Sequence, residues 1–383
     1  MRIAIFTEVF LPKIDGVVTR LVRTIEQLRA LDQEVVIFSP GSDLEEFCGY
    51  PVVRVRSARL RPWYPEIHVG LPTPRIARTL EEFTPDVVHA VNPVALAAYG
   101  VFSGKRRNIP LLASFHTDLP KYTEAMDLGF LQSFAKRYIG GLHNLADMNL
   151  CTSPQMVAAA RAIGIRRVRL WPKAVDTVTY HPDKRSAAMR ARLTDGHPDQ
   201  PLVVYVGRVA PEKKLEVLRR AMDRMPGVRL AVVGSGPARA QLEKDFAGTP
   251  TVFTGYLSGD DLAAAYASAD VFAFPSTTET LGLVALESMA SGVPVVGARA
   301  GGIPDVIADG ENGFLFAPGD AQELADQVML LVNDPELRHR FAVAGRAETE
   351  KWGWRAATER LLDYYQHAQE VHWRAWRNRQ YTD

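Results

Sequence analysis

Residues 278–296 read TETLGLVALESMASGVPVV, and this stretch decides the fold class. The apolar run DVFAFPS at 270–276 precedes it, and its own end, VPVV, is apolar again. Between the two runs Leu283, Leu286 and Met289 recur at helical spacing, so the pattern predicts strand, turn, helix and strand. Such alternation is typical of a parallel sheet covered by helices on both faces. The stretch therefore predicts a doubly wound α/β unit.

The same alternation runs through both halves of the chain. Runs typical of strands lie at 2–8, 34–38, 86–90, 110–115 and 148–152 in the first half, and at 201–207, 228–234, 270–276 and 293–297 in the second. A polar stretch at 183–201, rich in charge and breakers, separates the two sets. We predict two Rossmann-like, doubly wound parallel-sheet domains facing a central cleft. The first domain is predicted at 1–180, completed by a C-terminal helix at about 362–383, and the second at 181–361.

Composition restricts the possible functions. A chain of 383 residues with a formal net charge of +1 has no overall attraction for nucleic acid. Its two cysteines lack metal-ligand spacing, which favours a reduced cytoplasmic compartment over a disulfide framework. The N-terminus lacks a secretion signal, and no apolar stretch is long enough for a spanning helix. We therefore expect a protein that is soluble or peripheral to a membrane.

Ligands of doubly wound sheets bind beyond the carboxyl ends of the strands, so polar residues and glycines in the loops there are candidates for a binding site. Gly16 follows the first strand and begins a helix, where backbone N–H groups can meet a phosphate. Gly207, Arg208 and Lys213 follow the first strand of the second half, where the two cations can converge on one anion. The alternatives are an ordinary turn glycine and solvated surface charges. The three-glycine dinucleotide fingerprint is missing, which counts against a nicotinamide enzyme.

Two carboxylates flank the helix of the opening stretch. Glu279 is predicted in the loop before the helix and Glu287 about two turns further along it. At ~10–12 Å apart, by the rise of ~1.5 Å per helical residue, they suit a ligand with hydroxyls at both ends and a diphosphate between. A nucleotide sugar has this shape. The alternative is two solvated helix glutamates.

The motifs GRVAPEK, PSTTETLGLVALESMASGVPVV and AGGIPDVI together resemble the family-4 retaining glycosyltransferases, which have the two-domain GT-B fold. The spacing of two glutamates with seven residues between them is the hallmark of that family. The resemblance implies that Glu279 contacts the donor sugar and Glu287 the ribose hydroxyls. It implies that Arg208 and Lys213 contact the diphosphate and Gly16 the phosphates. The turn of Thr280, Leu281 and Gly282 is expected to contact the donor beside Glu279. Thr280 departs from the family, because many members carry glycine there.

Within that family the chain is most similar to the sulfoquinovosyltransferases of sulfolipid synthesis, on segments such as SFHTDLPKY (114–122) and ETEKWGWRAAT (348–358). Lys173 stands where the wider family carries asparagine, and we hypothesise that it recognises the sulfonate of the donor sugar. The alternative is a lysine facing solvent or a phosphate. By the same resemblance His116 hydrogen-bonds the donor sugar, and Asp118 orients the acceptor hydroxyl.

Retention in this family is thought to need no nucleophile of the enzyme. The leaving diphosphate can take the acceptor proton, so the protein's part is to stabilise developing negative charge with Arg208 and Lys213. We therefore predict no cofactor and no metal.

Two clusters of basic and aromatic residues suit an anionic membrane surface. One contains Arg59, Arg61, Trp63 and Tyr64, and the other is the tail VHWRAWRNRQY at 371–381. The alternatives are an edge strand with one wet face for the first cluster and a helix that docks onto the first domain for the second.

The sequence therefore predicts an enzyme that transfers sulfoquinovose from UDP-sulfoquinovose to diacylglycerol. We expect it in the cytoplasm, peripheral on the inner face of the cell membrane. One alternative keeps the family and changes the donor to UDP-glucose, UDP-galactose or GDP-mannose. A nucleotide-sugar epimerase or hydrolase and a non-catalytic nucleotide-binding module are the others.

Overall fold

The computed structural model describes residues 1–12, 16–60, 64–71, 73–116, 132–279 and 282–380. The chain divides into two compact units. Unit 1 consists of Met1–Pro172 and Trp354–Asp383, and unit 2 of Lys173–Gly353. Each boundary comes earlier than the predicted 180 and 361. The segment after Pro172 belongs to unit 2 because Val175 N donates to Trp352 O at 2.9 Å.

Strands and helices alternate in both units. Up to residue 172 they are β1 (Arg2–Thr7), α1 (Gly16–Ala30), β2 (Glu34–Pro40), β3 (Glu46–Phe47), β4 (Tyr50–Val55), β5 (Ser57–Leu60), β6 (Tyr64–Gly70), α2 (Pro74–Phe83), β7 (Val87–Val91), α3 (Leu96–Arg106), β8 (Leu111–Phe115), α4 (Gln132–Leu145), β9 (Met148–Cys151), α5 (Pro154–Ala162) and β10 (Val168–Leu170). After it they are α6 (Ala187–Leu193), β11 (Leu202–Val206), α7 (Leu215–Met222), β12 (Arg229–Val233), α8 (Arg239–Asp245), β13 (Thr251–Gly255), α9 (Gly259–Ala267), β14 (Val271–Phe274), α10 (Leu283–Ala290), β15 (Val295–Ala298), β16 (Gly313–Phe316), α11 (Ala321–Asn333), α12 (Pro335–Thr349) and α13 (Trp354–Gln380). Short 3-10 turns lie at Pro182–Lys184, Pro211–Lys213 and Ile303–Asp305.

The sheet of unit 1 has the strand order β10-β9-β8-β7-β1-β2-β4-β3. Its neighbours are parallel except for β3 and β4. The order of the strands reverses between β1 and β7, so loops leaving these two carboxyl ends part to opposite sides. β5 and β6 form a separate antiparallel pair.

The sheet of unit 2 has the order β13-β12-β11-β14-β15-β16, and all its neighbours are parallel. Its strand order reverses between β11 and β14. Strands such as β11 and β14 are buried along their whole length, as expected for a sheet covered on both faces. The predicted α/β fold with two doubly wound parallel-sheet domains is confirmed.

The last helix, α13, packs on unit 1. Leu361, Tyr365 and Ala368 lie at helical spacing, and all three are fully buried in the core that contains β1 and β2. The helix begins at Trp354, before the predicted residue 362, because the indole of Trp171 and the backbone of Ala357 already form a hydrogen bond in its first turn.

The alternative of an edge strand over residues 53–61 holds for β5, which forms a two-stranded sheet with β6, and does not hold for β4. β4 pairs with β2 on one side and β3 on the other, so it is not an edge. The alternation of the sequence is present: Val53 and Val55 are buried, and the side chain of Arg54 is exposed. The strands β3, β6, β10, β13 and β16 were not predicted.

Candidate active site

The loops that leave β11 and β14 bring together the charged residues that the sequence predicted for unit 2. Lys213 ends the 3-10 turn after β11, and Glu279 lies in the loop after β14. Lys213 Nζ and Glu279 Oε1 form an ion pair, and the two side chains are 19% and 18% exposed. Arg208 lies on the same loop as Lys213, and its side chain is more exposed. Its Nη1 lies 3.7 Å from Glu212 Oε1. The reversal point of this sheet thus carries the cations Arg208 and Lys213 together with the carboxylates of Glu212 and Glu279.

Two glycines hold the backbone of Glu279 in place. Gly302 N donates to Glu279 O at 2.7 Å. Gly301 has φ +57°, and a Cβ at this position would lie 2.3 Å from the same carbonyl oxygen. Only glycine allows this approach, so the AGGIPD segment fixes the position from which the Glu279 side chain departs.

The loop after β11 packs against the GSG turn that follows β12. Gly207 N donates to Val233 O at 3.0 Å, and Val209 N donates to Ser235 O at 3.0 Å. A Cβ on Gly234 would lie 1.9 Å from Gly207 O. The GSG sequence is therefore a close-packed turn that supports the Arg208 loop.

A buried tyrosine lies beneath these charges. Tyr205, the penultimate residue of β11, donates its hydroxyl hydrogen to Arg208 O at 3.0 Å. Burial raises the pKa of Tyr205, and the charges of Glu279 and Glu212 raise it further. Because the phenol stays protonated, it can hold the Arg208 carbonyl at every physiological pH.

Glu287 lies on α10, and a second tyrosine orients it. Tyr266 on α9 donates its hydroxyl hydrogen to Glu287 Oε2 at 2.9 Å. Burial raises the pKa of Tyr266, and the Glu287 carboxylate adds to this. Tyr180 packs edge-on against Tyr266, with ring centroids 5.6 Å apart. The Glu287 carboxylate is thus fixed by a donor from a neighbouring helix.

Lys173 has neighbours of its own within unit 2. Its Nζ lies 4.8 Å from the ring centroid of Trp352. Burial lowers its pKa, whereas the carboxylates of Asp305 and Glu348 act in the opposite direction. Asp305, Glu348 and Trp352 line a cavity of about 420 Å³. Two carboxylates therefore already balance the charge of Lys173 in part.

In unit 1, His116 is the last of a chain of hydrogen-bonding groups. It directly follows β8 and is 3% exposed. Its Nε2 lies 2.8 Å from Ser114 Oγ, which in turn lies 2.9 Å from His89 Nε2. His89 Nδ1 lies 2.7 Å from the hydroxyl of Tyr365 on α13.

The direction of these hydrogen bonds follows from the donors available. The Tyr365 hydroxyl has one hydrogen-bond partner among the described residues, His89 Nδ1, and we assign Tyr365 as the donor so that its hydroxyl hydrogen has an acceptor. His89 Nε2–H then donates to Ser114 Oγ, and the Ser114 hydroxyl donates to His116 Nε2. This order leaves Nδ1–H of His116 as its remaining donor. Burial keeps both rings neutral, because it lowers the pKa of His116 well below its ordinary value and that of His89 to about 3.

The other predicted residues are placed as follows. Gly16 is the first residue of α1, and Gly282 directly precedes α10. Asp118, Thr280, Leu281, Arg61 and Trp63 lie outside the described residues. Arg59 and Tyr64 lie in β5 and β6, and their side chains are likewise outside the description. On α13, Trp373 is 40% exposed and packs edge-on against Trp376, beside the exposed Arg374 and Arg377.

Several supporting residues were not predicted. Tyr205, Tyr266, Ser114 and Tyr365 look like ordinary core or strand residues in the sequence, and only their three-dimensional neighbours give them a role. Glu8, at the end of β1, is a carboxylate at a reversal point. It accepts hydrogen bonds from four backbone N–H groups at the start of α3, including Ala95 N at 2.7 Å, so its role is that of a helix cap.

The described residues contain no group of three or more His, Cys, Asp or Glu side chains that could hold a metal ion. None of the helices in the described ranges combines the length and apolar character that crossing a bilayer requires.

Comparison with known proteins places the chain in a family. The family described as Glycosyltransferase Family 4 matches residues 14–179, and that described as Glycosyl transferases group 1 matches 194–348. Sulfoquinovosyl transferase SQD2 of Arabidopsis thaliana is 41% identical over 382 residues, covering 97% of this chain and 75% of the relative. A GDP-mannose-dependent alpha-mannosyltransferase of Mycobacterium tuberculosis is 36% identical over 375 residues, covering 96% of each chain.

Solved structures agree on the fold. The crystal structure of HepE from Anabaena in complex with UDP superposes with a TM-score of 0.76 at 20% identity, covering 95% of this chain and 99% of that one. Sucrose-phosphate synthase from Thermosynechococcus elongatus gives a TM-score of 0.78 at 22% identity, covering 95% and 98%. The chain belongs to the family-4 glycosyltransferases and has the GT-B fold. It is therefore an enzyme, a retaining hexosyltransferase.

Proposed function

We propose that this enzyme transfers sulfoquinovose from UDP-sulfoquinovose to diacylglycerol and thereby makes sulfolipid. The observation that carries this proposal is the 41% identity to a sulfoquinovosyl transferase over 97% of the chain. A GDP-mannose-dependent mannosyltransferase is the second candidate, because 36% identity extends over 96% of both chains in that comparison.

In the proposed reaction the bond between the anomeric carbon and the diphosphate oxygen breaks. A bond from the same carbon to the acceptor oxygen forms on the same face, and the acceptor proton moves to the departing diphosphate. The proposed roles in unit 2 follow from charge: Arg208 and Lys213 stabilise the negative charge that develops on the diphosphate. Gly207 lets the backbone approach it, and Gly16 of unit 1 is a further phosphate contact in the proposal.

In this scheme the two carboxylates accept hydrogen bonds from hydroxyl groups of the donor. Glu279 accepts hydrogen bonds from the sugar, and its pairing with Lys213 keeps both charges in place before the donor arrives. Glu287, held by Tyr266, accepts from the ribose. The residues around Glu279, namely Thr280, Leu281 and Gly282, complete the proposed donor site.

In unit 1, His116 is proposed to donate from Nδ1 to the sugar. The hydrogen-bond chain that begins at Tyr365 keeps Nε2 of His116 an acceptor, and this leaves Nδ1–H available. Asp118 is proposed to orient the acceptor hydroxyl.

The proposal includes no metal and no cofactor. The cations Arg208 and Lys213 supply the charge that a divalent ion would otherwise supply. Activity that EDTA abolishes and magnesium restores would contradict this part of the proposal.

A lipid acceptor requires contact with a bilayer, and we propose α13 as one contact. Its buried stripe packs on unit 1, whereas Trp373, Arg374 and Arg377 remain exposed. Arg59, Arg61, Trp63 and Tyr64 form the second proposed contact. Sedimentation with vesicles should show salt-sensitive binding that requires anionic lipid, and W373A/R374A/R377A should weaken it. Binding that is independent of lipid charge would exclude this proposal and with it the location on the inner face of the cell membrane.

The function itself is tested by a donor screen. The enzyme is incubated with diacylglycerol vesicles and UDP-sulfoquinovose, UDP-glucose, UDP-galactose or GDP-mannose, and the lipid product is identified by mass. We expect sulfolipid as the main product. A mannosyl lipid formed from GDP-mannose would support the second candidate and reject the first.

A further inference from the structure

Arg20, on α1, is a buried cation with unsatisfied donors. Arg20 is 1% exposed, and its Cζ lies 3.9 Å from the ring centroid of Trp171. Nη2 donates to Pro172 O at 2.6 Å. Nε and Nη1 are buried as well, and neither has an acceptor among the residues that the structure describes.

Among the described residues, no compensating charge acts on Arg20. The rings of His116 and His89 each lie 5.9 Å from the Trp171 ring that Arg20 stacks on. Both imidazoles are neutral, because burial and the charge of Arg20 lower their pKa values. Within the described ranges, no Asp or Glu forms an ion pair with Arg20. Burial lowers the pKa of Arg20 itself to about 9, because its charge is poorly solvated.

A purely structural role explains only part of this arrangement. Stacking on Trp171 and one bond to Pro172 O would fix the segment that leaves β10. They would not require an arginine, however, because a buried charge with two unsatisfied nitrogens is costly compared with an apolar side chain of similar length. A buried arginine with unsatisfied donors is expected at a site where a bound anion accepts hydrogen bonds from those donors and balances the charge. Arg20 also lies one turn into the helix that follows β1, at the carboxyl end of the sheet where ligands bind.

We propose that Arg20 is the oxyanion-binding residue of unit 1 and that it receives the sulfonate of the donor sugar. This inference rests on the proposed function, and it moves sulfonate recognition from Lys173 to Arg20. A guanidinium is a planar set of five N–H donors. In Arg20 the Nε and Nη1 donors, which lie on different edges of that plane, have no acceptor among the described residues and are left for sulfonate oxygens.

Charge matching favours a sulfonate over a diphosphate at this position. A sulfonate carries one negative charge, and Arg20 is one cation among neutral rings. A diphosphate carries more charge and suits the two cations Arg208 and Lys213 of unit 2. Lys173 is the weaker candidate for the sulfonate, since the carboxylates of Asp305 and Glu348 already act on its charge.

The test measures binding of UDP and of UDP-sulfoquinovose to the full chain by calorimetry. The variants are Arg20→Met and Arg20→Lys, with Lys173→Asn as the competing candidate and Arg23→Met as the control on the same helix. We expect Arg20→Met to weaken UDP-sulfoquinovose binding by about 10- to 100-fold and to change UDP binding less than about twofold. Arg20→Lys, which keeps the charge but loses the fork, should lie between wild type and Arg20→Met.

Each other outcome decides against the inference. Equal losses for UDP and UDP-sulfoquinovose would mean that Arg20 serves the diphosphate or the fold, and unchanged binding would mean that it serves neither ligand. Selectivity lost in Lys173→Asn and kept in Arg20→Lys would return the role to Lys173. If Arg20→Met does not fold, as judged by thermal melting, Arg20→Lys decides. Failure of the wild type to bind UDP-sulfoquinovose would instead reject the proposed function, and the sulfonate site with it.

Discussion

At the scale of single residues, the pair of Lys213 and Glu279 is the feature on which the site depends. Both side chains are mostly buried, so each charge is stabilised chiefly by the other. Removing the Glu279 carboxylate leaves the full charge of Lys213 available to the diphosphate. It also removes the group that accepts hydrogen bonds from the sugar. Binding of the product nucleotide and catalysis should therefore respond in opposite directions.

We predict that Glu279→Gln lowers kcat/KM by about 10²-fold or more, while UDP binds at least as tightly as to the wild type. Steady-state kinetics and calorimetry measure the two effects. Glu243→Gln is the matched control, because Glu243 pairs with Arg239 on a helix outside the site. Wild-type turnover in Glu279→Gln would remove this residue from the mechanism.

Tyr266 gives a second residue-level prediction. Tyr266→Phe removes the hydrogen bond to Glu287 and keeps the ring packing, so we expect the KM for the donor to rise about 3- to 10-fold with little change in kcat. Tyr256→Phe, at a tyrosine that is 60% exposed, should behave like the wild type. A fall in kcat with KM unchanged would show that Glu287 does not serve ground-state binding of the donor.

The residues of the site were only partly predictable from the sequence. Arg208, Lys213, Glu279 and Glu287 carry charge in loops and helices that follow apolar strands, and that pattern is local. Tyr266 could not be found in this way, because the partner that defines it lies on another helix. Arg20 reads as an ordinary polar position of an amphipathic helix, and only its burial against Trp171 marks it out.

At the scale of elements, the segment around Gly301 determines where Glu279 lies. Gly301 adopts a positive φ and approaches Glu279 O, whereas Gly310 has φ +79° and open space around its Cβ position. An alanine at either position would strain the backbone, because both residues have a positive φ. Only at Gly301 would the added Cβ also collide with Glu279 O. They therefore form a matched pair.

We predict that Gly301→Ala lowers kcat/KM by about 10-fold or more and lowers the free energy of unfolding by about 1–3 kcal/mol. Gly310→Ala should lower the free energy of unfolding by about 1 kcal/mol, because of its backbone conformation alone, and should leave activity unchanged. Kinetics and chemical denaturation measure both quantities. Equal activity in the two variants would show that the contact with Glu279 O does not position the carboxylate.

The success of strand prediction depended on the environment of each strand. β7 and β11 are buried on both faces and read as continuous apolar runs, so their patterns are plain in the sequence. β13 is half-buried, with the sequence TVFTG, and β10 has two exposed residues among three, so neither has a clear apolar run. β16 contains glycine at its first position, which weakens the strand pattern.

At the scale of the whole molecule, the chain is built of two doubly wound units, and α13 returns to the first of them. Four histidines are buried among the described residues of this unit, and burial lowers the pKa of three of them, His89, His116 and His143, below the ordinary 6.5. The values for His89 and His143 are about 3 and about 4. Below pH 6.5 the unfolded chain takes up protons that the folded chain does not bind, so acid destabilises the fold.

We predict that the free energy of unfolding of unit 1 is largest above about pH 6.5 and falls as the pH drops towards 4, by up to about 1.4 kcal/mol per pH unit for each histidine. Denaturant unfolding at pH 7.5, 6.5 and 5.5 measures the slope. His143→Asn, which keeps a donor near Asn149 Oδ1, should reduce the slope by the share of one histidine. A stability that does not change between pH 7.5 and 5.5 would show that these rings are already protonated or accessible to water.

The division into two units was predictable because the strand–helix alternation stops and restarts. The exact boundaries were not, since Val175 joins unit 2 through a backbone bond to Trp352, far along the chain. The identity of the sugar depends on a ligand, and sequence similarity supports it. The membrane-facing residues were proposed from their basic and aromatic composition and, on α13, from their exposure.

The most direct test of the proposed mechanism is a structure of the enzyme with UDP bound. We expect the diphosphate within hydrogen-bonding distance of Arg208 and Lys213, and the ribose hydroxyls at Glu287. A nucleotide bound elsewhere, with these three side chains out of its reach, would contradict the proposal.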